Sequence, residues 1–115
     1  MAASDVERAR HALEKGAILR VLQDAYGGPA MTLSGLASVL DNLGFPMSPI
    51  GLQFALTYLG DTGFARVVKA KDLPGFRHDR LRQGESPETV MTAQLTPLGL
   101  KLLDGTVAED EQIRF

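Results

Sequence analysis

The stretch TLSGLASVLDNLGFPMSPIGLQFALTYLGDTGF, residues 32–64, decides the fold. Apolar residues recur at three- and four-residue spacing on both sides of residues 44–47, which predicts two helices joined by a tight turn. Each helix begins at a hydroxyl residue that would cap it, Thr32 for the first and Ser48, followed by a proline, for the second. The glycines in residues 60–63 then end the second helix.

One further helix precedes this pair, and a strand, a loop, a strand and a helix follow it. Apolar spacing predicts a helix over 5–25, with Leu13 on its core side and Glu14 on its solvent side. β-branched and aromatic residues predict strands over 64–68 and 89–95, joined by a long polar loop. A last helix over 97–103 begins with the same cap-and-proline signal. This order predicts an α+β fold, mainly α, in which a three-helix core packs against a two-stranded hairpin and a C-terminal helix.

The composition is that of one globular domain. The chain has 115 residues and no cysteine, so disulfides, thiolate nucleophiles and thiolate zinc sites are excluded. It has neither an apolar signal core near its start nor a run of about 18 apolar residues, so we expect a cytoplasmic protein that does not insert into a membrane. The domain is expected over residues 1–108, and a loose acidic tail over 109–115.

Positive charge is concentrated in the loop between the predicted strands. The chain has a formal net charge of −2, but residues 66–82 contain six lysines and arginines and only two aspartates. The basic residues are Arg66, Lys69, Lys71, Arg77, Arg80 and Arg82. The loop either contacts an anionic partner or is an ordinary solvated segment of mixed charge, and the pattern leaves both open.

The chain resembles the winged helix-turn-helix superfamily. The resemblance is carried by Leu56-x-x-Leu59-Gly60-x-x-Gly63-Phe64, where the third helix meets the first strand, and by Leu95-Thr96-x-x-Gly99-Leu100 after the second strand. The layout is also similar to that of the small winged-helix proteins encoded by Mu-like phages and prophages. The resemblance implies a bacterial or phage transcriptional regulator, often a homodimer. Its third helix would enter the major groove of double-stranded DNA, and its hairpin, the wing, would follow the backbone.

The third helix offers few groups that could read DNA. It contains no lysine or arginine, so Gln53 and Thr57 are the candidates for base contacts and Ser48 is a candidate for a phosphate contact. Because phosphate neutralisation supplies most non-specific affinity, the six basic residues of the loop would have to provide the phosphate contacts. The hypothesis of DNA binding therefore depends on the wing.

The same helix carries a second apolar stripe. Ile50, Phe54 and Tyr58 recur every four residues, displaced from the leucines that face the core. Either a partner chain covers this stripe or the stripe packs beneath the wing. The alternative function is therefore a winged-helix protein-protein interaction module without sequence-specific DNA binding.

The sequence contains no pattern that predicts catalysis. His11 and His78 are too few and too isolated to form a metal centre. The acidic residues of the wing have no predicted pocket or neighbouring nucleophile, and no phosphate-binding loop is present. We therefore expect no enzymatic activity, no cofactor and no metal.

Overall fold

The computed structural model describes the backbone of residues 2–115 and the side chains from residue 5 onward. It is an α+β fold of four helices and a three-stranded antiparallel sheet. The helices are α1 (Ala2–Asp24), α2 (Leu33–Asn42), α3 (Pro49–Asp61) and α4 (Pro97–Leu103). The strands are β1 (Met31–Thr32), β2 (Ala65–Lys69) and β3 (Val90–Leu95). Residues 70–89, here called the β2–β3 loop, include two short 3-10 turns at Ala70–Asp72 and His78–Arg80.

The predicted starts of α2, α3 and α4 are confirmed, whereas α1 begins at Ala2 and not at residue 5. Thr32, Ser48 and Thr96 each precede a helix, and each side-chain oxygen accepts the backbone N–H three residues on at 3.1 Å. Such a bond satisfies one of the four N–H groups that the first turn of a helix leaves without a partner. The three donors are all glycines, namely Gly35, Gly51 and Gly99.

The sheet has one strand more than the predicted hairpin. β1 is only two residues long and pairs antiparallel with β3, Met31 opposite Ala93 and Thr32 opposite Thr92. β2 pairs with the other edge of β3, which makes β3 the central strand. Two residues are too few to show alternation in a sequence, so the contact with β3 alone defines this strand.

The core lies between the helices and one face of the sheet. Its most deeply buried side chains are Ile18, Leu19, Leu22, Leu36, Leu40, Leu52, Leu56, Leu59 and Val90. Within residues 2–115, no helix combines the length and the apolar character that a membrane crossing requires.

The prediction of a loose C-terminal tail is wrong. Ile113 is only 5% exposed and belongs to the core, and the Arg114 amide donates to the carbonyl oxygen of Ala12 at 3.0 Å. The chain can approach α1 this closely because Gly16 has no side chain. A Cβ at Gly16 would lie 1.9 Å from the Arg114 oxygen. Residues 109–115 are polar apart from two apolar side chains, but they pack against α1.

Candidate interaction surface on the third helix

The outer face of α3, formed by Ile50, Phe54, Thr57 and Asp61, is the side of the helix opposite its buried leucines. Ile50 is 68% exposed and Phe54 is 72% exposed. These two side chains lie one helical turn apart, so they are neighbours on the surface. Scattered exposed apolar residues are ordinary, but adjacent large ones are typical of interaction sites.

Gln53 is held by the sheet. Its side-chain nitrogen donates to the carbonyl oxygen of Val90 at 3.1 Å, and the Val90 amide donates to its side-chain oxygen at 2.7 Å. Val90 is buried at the start of β3, so this pair of bonds fastens the central strand to α3. A glutamine reads adenine with the same two groups. The prediction that Gln53 contacts a base stays untested, but such a contact would require both bonds to break.

Replacing Gln53 with methionine should lower the free energy of unfolding by about 1–3 kcal/mol, because a buried N–H and a buried C=O would lose their partners. Urea denaturation followed by circular dichroism measures this change. Gln94, an exposed glutamine of β3, provides the control, since Gln94→Met should change stability by less than about 0.5 kcal/mol. Equal effects of the two substitutions would show that the bonds to Val90 contribute nothing.

The other two predicted DNA-contacting residues of α3 lie in different settings. Ser48 is exposed at the start of the helix, where its hydroxyl accepts the Gly51 amide as the cap. Thr57 is half-buried on the outer face and makes no side-chain hydrogen bond within the part of the chain that the structure describes. Their contacts to DNA remain predictions.

Two of the six basic residues of the predicted wing share one carboxylate, which offsets one of their two positive charges. The ammonium nitrogens of Lys69 and Lys71 lie 3.0 and 2.8 Å from the Glu88 oxygens. The hydrogen bond from Lys71, followed by the one from Lys69, lowers the pKa of Glu88 below its ordinary value. The same bond with Glu88 raises the pKa of Lys71. These two lysines are therefore less available to an anionic partner than their number suggests.

The four arginines differ from one another in whether a carboxylate lies beside them. The Arg77 side chain lies 3.4 Å from the Asp79 carboxylate, and both are exposed. Arg66, Arg80 and Arg82 are exposed and form no ion pair within residues 5–115. Half of the predicted phosphate-contacting cations thus have no carboxylate beside them.

Tyr58 is packed into the fold. Its hydroxyl donates to the Asp110 carboxylate at 2.9 Å, and the Lys15 ammonium lies 4.6 Å from the centre of its ring. Burial, the hydrogen bond to Asp110 and the charge of that carboxylate raise the pKa of Tyr58 to about 12. Of the three predicted partner-binding residues, Ile50 and Phe54 are exposed, whereas Tyr58 already contacts Asp110 and Lys15.

The Tyr58 hydroxyl should make stability depend on pH above pH 10. Its pKa rises from 10.0 to about 12 on folding, so the native chain holds this proton more tightly than the unfolded chain does. The resulting stabilisation is complete below pH 10 and is lost as the pH rises through 12. We expect the urea midpoint of the wild type to fall across this range and that of Tyr58→Phe to fall less. Tyr26→Phe, which changes the other tyrosine, is the control, and parallel curves for Tyr58→Phe and the wild type would contradict the assignment.

A groove of about 300 Å³ separates α3 from α1. Its lining includes Met47, Phe54 and Tyr58 on one side and His11, Glu14 and Lys15 on the other. The Glu14 side chain is only 9% exposed, and its ion-pair contact is the Arg10 Nε at 3.7 Å. The Glu14 carboxylate lies in the groove, and its oxygens still reach water, because no buried side-chain nitrogen or oxygen of the described residues lacks a hydrogen-bond partner.

No family model, curated protein or solved structure matches this chain. The function therefore has to be inferred from the surface of the molecule. Among the residues that the structure describes, no group of three or more histidine, aspartate or glutamate side chains could hold a metal ion. That the protein is not an enzyme and takes no cofactor remains a prediction.

Glu14, which lines the groove, is the candidate residue that the sequence did not reveal. The apolar spacing in α1 placed it on the solvent side, and this prediction is wrong because α3 and the turn before it cover that side of the helix. Leu13, which the spacing placed with the core, is 41% exposed instead. No local signal distinguishes the two positions, because both assignments depend on where α3 crosses α1.

Proposed function

We propose that this chain is a winged-helix domain that acts by binding another protein through the outer face of α3. The order of helix, short strand, two helices and a strand pair around a long loop supports the winged-helix assignment, with the β2–β3 loop as the wing. The resemblance at the junction of α3 and β2 and after β3 supports the same assignment. The bound protein would pack on Ile50 and Phe54.

The exposure of Phe54 beside Ile50 is the observation that carries this proposal. Burying one such side chain contributes about 1.5–3 kcal/mol, and the core of this domain is already filled by the other stripe of α3. Aromatic side chains at the centre of an interface often dominate its affinity. The side chains of the outer face therefore contribute little to the stability of the domain and are available for burial against a partner.

The charge on α3 supports a protein partner over DNA. The helix has no lysine or arginine, and Asp61 adds a negative charge to its outer face. DNA carries a phosphate charge about every 1.7 Å along its axis, so a recognition helix of this character would gain nothing from it and would be repelled at Asp61. An apolar protein surface imposes no such penalty.

Proximity labelling in the cells from which the gene comes tests the proposal with two matched variants. Phe54→Ser removes the ring from the outer face, and Val6→Ser changes a side chain of similar exposure, 67%, at the far end of α1. We expect a protein that the wild type and Val6→Ser enrich and Phe54→Ser does not, with thermal midpoints of all three within a few degrees. Enrichment of the same proteins by Phe54→Ser would overturn the proposal.

A second copy of the chain is one partner of this kind. In that case sedimentation velocity would report a dimer for the wild type and Val6→Ser, and a monomer for Phe54→Ser. The purified proteins of the labelling experiment serve for this measurement.

Binding of double-stranded DNA through the wing is the second candidate function. The exposed Arg66, Arg80 and Arg82, which have no ion pair among the described residues, favour it. Three phosphate contacts would give a salt dependence with a slope of about −3 in log K against log salt concentration. Fluorescence anisotropy with mixed-sequence duplexes tests this candidate. Binding that is lost when the three arginines become alanine and kept in Phe54→Ser would replace the first proposal, and no binding at low salt would remove the second.

A further inference from the structure

We propose that the groove between α1 and α3 receives an arginine side chain of the protein that covers the outer face of α3, with Glu14 as its counter-ion. This inference rests on the proposed function and adds to it the chemistry of the partner. It predicts that the partner's contact surface combines apolar side chains with one basic anchor.

The state of the Glu14 carboxylate is the first observation. Charges in a groove are screened less than charges on an open surface, so a carboxylate there attracts a cation more strongly. Glu14 is more than nine-tenths buried, yet its cation, Arg10, lies 3.7 Å away on a side chain that is itself 68% exposed. That distance is too long for a hydrogen bond. Within the described residues, Glu14 accepts no hydrogen bond, and its oxygens are open to the groove and not buried without a partner.

The aromatic wall of the groove is the second observation. Phe54 and Tyr58 both line it, and the Tyr58 ring already has the Lys15 ammonium at 4.6 Å. An aromatic face attracts a cation by about 0.5–2 kcal/mol, depending on how far the cation is desolvated. Lys15 also lines the groove and lies over the Tyr58 ring; it attracts Glu14 through charge but forms no ion pair with it. The Phe54 ring and the Glu14 carboxylate are thus left for a cation from outside.

Arginine fits this site better than lysine does. Its planar guanidinium stacks on a ring and donates two parallel hydrogen bonds to one carboxylate, whereas an ammonium is a point charge. The groove, at about 300 Å³, is at the lower limit for small-molecule pockets, which suits a single long side chain. The methylene stem of an arginine would lie against Met47.

The position of the groove indicates a protein as the source of the arginine. Phe54 belongs both to the groove and to the outer face of α3. A partner that packs on Ile50 and Phe54 therefore covers the mouth of the groove. Either one of the partner's side chains enters the groove, or the groove stays filled with water. Two anchors of different chemistry side by side also make the contact selective, because a partner that covers the groove without a cation would take the Glu14 carboxylate out of water.

Titration of the ¹⁵N-labelled full chain with N-acetyl-arginine amide tests the site without the partner. The amide signals of Gly51 and Ala55, which line the groove, report binding. We expect saturable shifts confined to the groove, and at least about tenfold weaker binding of N-acetyl-citrulline amide, which has the same shape without the charge and so cannot form charge-assisted hydrogen bonds. N-acetyl-lysine amide should bind more weakly than the arginine probe.

Two substitutions complete the test. Glu14→Gln should weaken the arginine probe about tenfold, and Glu7→Gln, which changes an exposed glutamate of the same helix, should leave it unchanged. Phe54→Leu, at an exposed position, removes the stacking surface even if Glu14→Gln fails to fold, and should also weaken the probe.

Equal affinity for the arginine and citrulline probes, tighter binding of the lysine probe, or no effect of either substitution would overturn the assignment. If the arginine probe does not bind but labelling in cells depends on Phe54, the outer face of α3 binds a protein and the arginine pocket is overturned. A positive titration without such labelling would leave the pocket and overturn the proposed function.

Discussion

Replacing Gly99 with alanine should destabilise the protein by at least about 1–3 kcal/mol, the usual effect of forcing an extra group into a packed site. A Cβ at this position would lie 2.1 Å from the backbone oxygen of Phe64 and 2.7 Å from the Leu95 side chain. The Phe64 oxygen cannot move aside independently, because it also accepts the Thr96 amide at 3.3 Å. The first turn of α4 would have to shift away from the junction of α3 and β2. Thermal and urea unfolding measure the loss.

Gly51→Ala is the matched control, since Gly51 occupies the same position after the cap of α3. The nearest atom to its added Cβ is the Ser48 hydroxyl at 3.1 Å, which needs to move only slightly and can keep its bond to the Gly51 amide, and alanine favours a helix by about 1 kcal/mol over glycine. We expect a net change below about 1 kcal/mol. If Gly99→Ala is as stable as Gly51→Ala, α4 does not pack on Phe64 in the way described.

Replacing Ile113 with alanine should lower the free energy of unfolding by about 2–5 kcal/mol, as expected when a fully buried aliphatic side chain is truncated. The effect would be large for a position only two residues before the last residue of the chain. It follows from the burial of Ile113 among core residues and from the bond between the Arg114 amide and Ala12. Urea denaturation gives the free energy, and limited proteolysis shows whether the segment separates from α1.

Gln112→Ala changes the exposed neighbour and should shift stability by less than about 0.5 kcal/mol. If Ile113→Ala had an effect as small as this, the segment would be the loose tail that its acidic composition predicts. A large difference between the two variants would establish that the segment is part of the cooperative unit.

The helices could be predicted because their signals are local. Cap, proline and apolar spacing lie within one or two turns of each other, and the bond from the Gly99 amide to the Thr96 hydroxyl repeats the geometry at Thr32 and Ser48. β1 and the position of residues 109–115 could not be predicted in this way. Two strand residues and one buried isoleucine acquire their roles from partners about 60 and 100 positions away in the chain.

The candidate site shows the same division. The second stripe of α3 was visible as spacing, but the structure separates its members, with Ile50 and Phe54 exposed and Tyr58 bound to Asp110. Gln53 was predicted as a base-reading residue from its type, and its amide proved to hold the start of β3. Residue type alone could not distinguish these outcomes, because a polar group bonds to whichever partner the fold brings near.

The sequence by itself determined the helix-turn-helix stretch of residues 32–64, the cap of each helix from α2 to α4, the strand pair and the lack of cations on α3, because each depends on neighbours along the chain. Only the tertiary structure decided that Glu14 is buried, that Phe54 is exposed on the same groove, that Glu88 pairs with two of the six basic residues, and that the C-terminal segment packs on α1. These features depend on which elements cross and how closely. Burial and pairing are properties of the space between elements, which residue spacing does not encode.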